Sequence, residues 1–172
     1  MGNINKKDII NEDVAKEGNG NNIILKSDKL ILKIIDYNSA DYEEELKLRD
    51  EVLRKPLQMS IYNEDLSGDK TDIHLGVYIG NDLVGCLLLK ELDNQTFKMR
   101  QVAVKPEYRG KGIGRKMVEY TENYAIENGY SKINLHARKN AIGFYEKLGY
   151  RIIGDEFLEL RIPHHKMEKN LK

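Results

Sequence analysis

The sequence is poor in several features that mark whole classes of protein. It holds one cysteine, Cys86, among 172 residues, so no intramolecular disulfide can form. Cys86 lies within the apolar run 84–89, where a buried thiol is favoured over a reactive one or half of an intermolecular bridge. The four histidines and the cysteine show no His-x-x-x-His or Cys-x-x-Cys spacing, so no metal site is expected. Neither sign of charge prevails. Lys and Arg number 28 and Asp and Glu number 28, which leaves no overall field to draw in nucleic acid or an anionic membrane. No apolar stretch approaches the roughly 18 residues that a membrane-spanning helix needs. The first residues are polar and lack the charged end and apolar core of a secretion signal, so a cytoplasmic protein is expected. Asn94-Gln95-Thr96 accordingly reads as a hairpin turn rather than a glycosylation acceptor.

What is present suffices for one domain, with 40% hydrophobic and 33% charged residues. Residues 1–22 are rich in Asn and Lys and end in Gly18-Asn19-Gly20-Asn21-Asn22, so they are expected to form a flexible polar tail ahead of an ordered domain over 23–172. A strand at 30–35 precedes a helix for which Asn38 and Ser39 offer N-caps. Asp41, Glu43, Glu44 and Glu45 occupy its first turns, and Leu46, Leu48, Val52 and Leu53 its buried side. Pro56 ends it, and a short irregular or helical segment covers 58–69. Strands at 74–79, 83–92 and 96–104 alternate with turn residues as an antiparallel meander. A helix over 112–128 carries Ile113, Met117, Tyr120, Thr121 and Tyr124 on one stripe. The strand at 133–137 must run parallel to the one before that helix, because a helical crossover joins them. A helix at 141–148 and a hairpin of 151–157 with 164–169 complete an α/β fold of the α+β type. Its mixed central sheet has about six to seven strands, with helices on both faces.

The chain is organised around residues 99–114. A β-branched run ends at Lys105, Pro106 removes the next backbone donor, and Gly110, Gly112 and Gly114 follow directly before the long helix. Strand, glycine loop and helix start together expose unpaired N–H groups at the positive end of a helix dipole, a ready site for phosphates. The Rossmann fingerprint fails because Met117 stands where its third glycine belongs, and a Walker A loop fails because Gly112, not Ser or Thr, follows Lys111.

With Arg109, Gly112 and Gly114 filling an Arg/Gln-x-x-Gly-x-Gly/Ala pattern after Val102-Ala103-Val104-Lys105-Pro106, the stretch resembles the acetyl-coenzyme A signature of the GNAT superfamily of N-acetyltransferases. Phe144-Tyr145-Glu146-Lys147-Leu148-Gly149-Tyr150 is similar to that superfamily's tyrosine helix. The resemblance implies acetyl-CoA as cosubstrate, bound by the backbone of Val102, Ala103 and Val104 and by Arg109, Gly110, Lys111, Gly112, Ile113 and Gly114. It also implies direct attack of an acceptor amine on the thioester, with one strand N–H helping to hold the developing oxyanion and Tyr145 protonating the departing thiolate. Without that motif, an aromatic beside Phe144 would read as core, and the position of Tyr145 in the motif favours catalysis over packing. His136 stands where some branches carry a glutamate base, and it reads either as general base or as a sheet histidine. His164 and His165 are weaker candidates for acceptor contacts, and His74 reads as a strand residue.

One departure is Arg138 at the place where many members carry an asparagine. Asn140, five residues before Tyr145, is expected to cap the helix. The short connection and the ending Ile162-Pro163-His164-His165-Lys166-Met167 are similar to the ElaA-like branch. The expected partner is a small-molecule amine and the expected state a monomer or homodimer. The alternatives are acetylation of a protein amino group and an acyl-CoA sensor without turnover.

Overall fold

The computed structural model describes residues 14–16, 22–25 and 30–171. In chain order the elements are β1 (Val14–Lys16), β2 (Asn22–Leu25), β3 (Leu30–Ile35), α1 (Ala40–Arg49), β4 (Ile73–Ile79), β5 (Asp82–Asp93) and β6 (Thr96–Val104). Then come α2 (Ile113–Glu127), β7 (Lys132–Arg138), α3 (Ile142–Lys147), β8 (Arg151–Ile152), β9 (Phe157–Glu159) and β10 (Ile162–Asn170). One sheet holds the ten strands in the order β1-β2-β3-β4-β5-β6-β7-β10-β8, with β9 paired to β10 off that path. The α+β class and the meander hold, and the strand count exceeds the six to seven expected. Part of the excess is Val14–Lys16, which pairs with β2 from within the stretch expected as a tail. The rest of that stretch, apart from Asn22 in β2, lies outside the described residues.

Period-two alternation along the strands divides the apolar side chains between two faces. Leu30 and Leu32, Leu75 and Val77, Leu87 and Leu89, Phe97 and Met99, Ile133 and Leu135 form one core with Ile113, Met117, Val118 and Tyr124 of α2 and with Tyr145 of α3. Ile35, Tyr78, Leu83, Cys86 and Ala103 form the other, beneath Tyr42, Leu46 and Leu48 of α1. Cys86 is fully buried, and burial pushes its thiol well up. Ser39 caps α1 by accepting from the Tyr42 N–H at 3.1 Å. The helix continues through a π-type turn, Asp50–Arg54, and a 3₁₀ turn, Lys55–Leu57, that contains Pro56.

The second core is not wholly apolar. Glu45 and Arg49 of α1 are 0% exposed and His74 of β4 is 1% exposed. Arg49 donates to Asp69 at 2.8 Å, Tyr42 donates its hydroxyl to Asp69 at 3.0 Å, and Arg100 reaches the other Asp69 oxygen at 3.2 Å. His74 sits between the Glu45 carboxylate, 2.8 Å from Nδ1, and the Asp69 carbonyl, 2.8 Å from Nε2. A carbonyl only accepts, and an ionised carboxylate only accepts, so both ring nitrogens carry hydrogen and His74 is an imidazolium here. Burial works against that charge, but Glu45 and the Asp69 carbonyl outweigh it and raise the pKa. His74 is thus a member of a buried ionic network, beyond the plain strand residue expected.

Two terminal expectations change. The expected strand 151–157 is two short strands, both paired to β10, because Gly154 turns the chain between them at φ 79°. Asn140 is exposed within a 3₁₀ turn, and Ala141 stands as the N-cap of α3 with no side-chain cap, so the capping expectation fails.

Candidate active site

The decisive local feature is where β6 and β7 part. Their parallel pairing runs from Thr96–Lys132 to Met99–Leu135 and stops there. On the β5 side, Leu88 pairs with Arg100 and Cys86 with Ala103, so three steps along β6 match two along β5. Gln101 takes up this bulge at φ 54°. The bulge turns β6 away from β7, and residues 100–104 lose β7 as a ladder partner while β7 goes on pairing with β10 through Arg138. Among the described residues, the buried Gln101 side-chain oxygen has no hydrogen-bond partner. An open strand edge and an orphaned acceptor are what a linear amide-bearing ligand would satisfy.

The glycine loop lies at the end of β6. Gly110 and Gly112 sit at φ 73° and 80°, conformations that L side chains rarely adopt, and both face open space. Gly112 is the N-cap of α2, whose first turn contains no acidic residue to neutralise its positive end. Gly114 serves packing instead, since a Cβ there would stand 3.3 Å from the Phe144 ring. Arg109 Nε donates to the Val104 carbonyl at 3.2 Å, which ties the loop back to the strand. Lys111 Nζ lies 5.2 Å from the centre of the Tyr108 ring. Ile113 is buried in the α2 core, and Lys111 is exposed at the loop.

Tyr145 and His136 stand on opposite faces of the parting strands. Tyr145 belongs to the α2 and α3 face, 7% exposed, with its ring edge-on to Phe144 at 4.9 Å and Tyr150 at 5.7 Å. Burial pushes its phenol well above the ordinary range, so it holds its proton at neutral pH. His136 alternates with the buried Leu135 and Ala137 and therefore projects from the other face, one residue past the last β6–β7 pair.

Around His136 the sheet face is polar. His136 Nδ1 lies 3.0 Å from Glu159 Oε1 and 3.3 Å from Lys98 Nζ. The carboxylate accepts, so Nδ1 is the nitrogen that carries a hydrogen towards Glu159. His164 Nδ1 donates to the Ile162 carbonyl at 2.8 Å, and its Nε2 is 3.7 Å from the second Glu159 oxygen. Phe157 packs against both imidazoles, at 4.9 Å and 6.0 Å. Burial works to raise Glu159, but the hydrogen bond and charge of His136, with His164 and Lys98, bring its pKa down. His165 projects from the opposite face and meets Glu156 at 3.5 Å. Sequence reading missed Glu159, Lys98 and Gln101. The signal for Lys98 was available, because polar Lys98 and Arg100 alternate with Phe97 and Met99 just as His136 and Arg138 alternate with Leu135 and Ala137.

Where β6 and β7 part, the structure thus sets an open strand edge, a helix start with no acidic residue in its first turn, and Tyr145 and His136 on opposite faces. Residues 34–150 match the Acetyltransferase (GNAT) family. The uncharacterized N-acetyltransferase YjcF of Bacillus subtilis is 32% identical over 136 residues, covering 76% of this chain and 96% of that protein. The solved structure of Escherichia coli ElaA is similar in fold, with a TM-score of 0.71, 19% identity, and coverage of 81% of this chain and 99% of that one. A GNAT family acetyltransferase from Elizabethkingia anophelis, solved with acetyl-CoA bound, has a TM-score of 0.63 at 17% identity and covers 84% of this chain and all of its own. The chain belongs to the GNAT family of acetyltransferases. Among the described residues, no helix is long and apolar enough to cross a membrane.

Proposed function

We propose that the protein transfers an acetyl group from acetyl-CoA to a small-molecule amine by direct attack, with His136 as general base and Tyr145 as general acid. The observation that carries this reading is the gap between β6 and β7 with Tyr145 on one face and His136 on the other. The donor supplies an activated thioester. Its pyrophosphate fits the N–H groups of Gly112, Ile113 and Gly114, with Arg109 and Lys111 beside them. Its amide-bearing arm fits the open edge of Val102, Ala103 and Val104, where Gln101 holds an unused acceptor. The solved relative with acetyl-CoA bound supports the choice of donor.

His136 Nε2 takes the proton that the amine loses as its nitrogen bonds to the acyl carbon. Glu159 fixes the tautomer this requires. Tyr145 gives its proton to the sulfur as the C–S bond breaks, and solvent returns the proton from His136. One amine and one thioester thus yield one amide and one thiol, and no acyl-enzyme forms. The test is acetyl-CoA-dependent thiol release over a panel of amines. His136→Gln should lower the rate about 10²-fold while acetyl-CoA affinity stays within about twofold. Tight acetyl-CoA binding with no thiol release from any amine, peptide amines included, would replace the enzyme with a sensor.

A further inference from the structure

The sheet face that carries His136 has more positive charge than its protein partners neutralise. Arg54 is matched by Glu64, with NH2 3.0 Å from Oε2. Arg100 is matched by Asp69 and Asp72, at 3.2 and 3.3 Å. Lys98 and Arg138 are different. Among the described residues neither has a carboxylate within 4.0 Å, although both are half-buried. Arg138 donates only to the Leu53 carbonyl, at 3.3 Å, which the π-type turn after α1 brings over the end of β7. Among the described residues, the polar atom Lys98 Nζ approaches is His136 Nδ1 at 3.3 Å, a nitrogen already turned to Glu159 and no acceptor for it. Burial lowers the pKa of both groups, and for Arg138 the neighbouring Arg54 adds to it. Glu159 is an acidic group that both cations feel, and its oxygens are already engaged with His136 and His164. Two cations against one shared carboxylate leave the face short of a negative charge, on partly desolvated groups where that shortage is costly.

We propose that the acceptor is a small amine that also carries an anionic group, a carboxylate or a phosphate, which Lys98 and Arg138 bind while His136 receives the amine. The inference rests on the acetyltransferase reading of this face and narrows its substrate class. Arg138 presents a planar fork suited to either anion, and Lys98 a point charge beside the base. The two together set the acceptor nitrogen near Nε2 by holding its other end, and a neutral or dicationic amine would leave both cations unpaired.

The test measures kcat/KM with acetyl-CoA for β-alanine and phosphoethanolamine against ethanolamine and putrescine, in the wild type, Arg138→Gln and Lys98→Gln. An anionic amine should be preferred by about tenfold or more, and each variant should raise the KM for the anionic amines about tenfold more than it raises that for ethanolamine. The contrast between β-alanine and phosphoethanolamine tells carboxylate from phosphate. Arg138→Lys, which keeps the charge and the fold, should retain the preference at reduced strength. Equal or better use of ethanolamine or putrescine, or variants that lower all amines alike, would overturn the proposal while leaving the transferase intact. If no amine is used, the transferase reading fails, and calorimetric binding of β-alanine and phosphoethanolamine then decides the matter. Binding that Arg138→Gln weakens supports the anion site. No binding, or binding the variant leaves unchanged, overturns it.

Discussion

Asp69→Asn is the sharpest probe of what holds the α1 face together. The Asp69 side chain is 1% exposed and accepts from Tyr42, Arg49 and Arg100, so three donors converge on one carboxylate. An asparagine of the same shape turns an N–H₂ group towards one of those donors and leaves the fully buried Arg49 without its principal counter-charge. Removing one partner of a buried ion pair costs about 3–5 kcal/mol. For a chain of this length that is a fall in Tm of about 6–20 °C, at roughly 2–4 °C per kcal/mol. Urea unfolding at constant m measures it directly. Glu119→Gln is the control, because its partner Arg115 is 2.7 Å away but the side chains are 68% and 48% exposed. That change should stay within about 0.5 kcal/mol. If Asp69→Asn lost less than about 1 kcal/mol, the network would not be the anchor described here.

The same network sets a pH dependence. The folded pKa of His74 is raised, so its contribution is fully present below its unfolded value of about 6.5 and is lost as pH rises through the folded value. Stability measured by urea titration should therefore fall across that window in the wild type, and His74→Gln should flatten it; an unchanged profile in the variant would refute the imidazolium assignment. At the glycine loop, Gly112→Asp forces a side chain into φ 80° and sets a carboxylate at the α2 N-cap. Acetyl-CoA affinity by calorimetry should drop by about tenfold or more, and an unchanged affinity in a folded variant would contradict the loop's role.

Much of this was legible in the sequence, for reasons that particular residues make plain. The meander and the α2 crossover follow from alternation and turn residues, and the glycine loop from three glycines behind Pro106. The burial of Glu45 and Arg49 was not legible, because a Glu-x-x-x-Arg spacing fits an exposed helix pair equally well, and it is Asp69 and His74 from distant segments that draw both inside. Glu159 was invisible for a related reason. Only the folding of β9 onto β10 carries it across to His136, a separation of 23 residues that no local pattern encodes. The bulge at Gln101 was hidden as well, since a strand reads the same with one residue added until its partners fix the register.

The central claim is that this chain moves an acetyl group across the gap between β6 and β7, and Tyr145→Phe tests it most directly. The ring stays packed between Phe144 and Tyr150 and only the acidic proton is lost. With an amine that the wild type acetylates, thiol release should fall by roughly ten- to a thousandfold while acetyl-CoA affinity is retained. Equal turnover by the two proteins across pH would contradict the account.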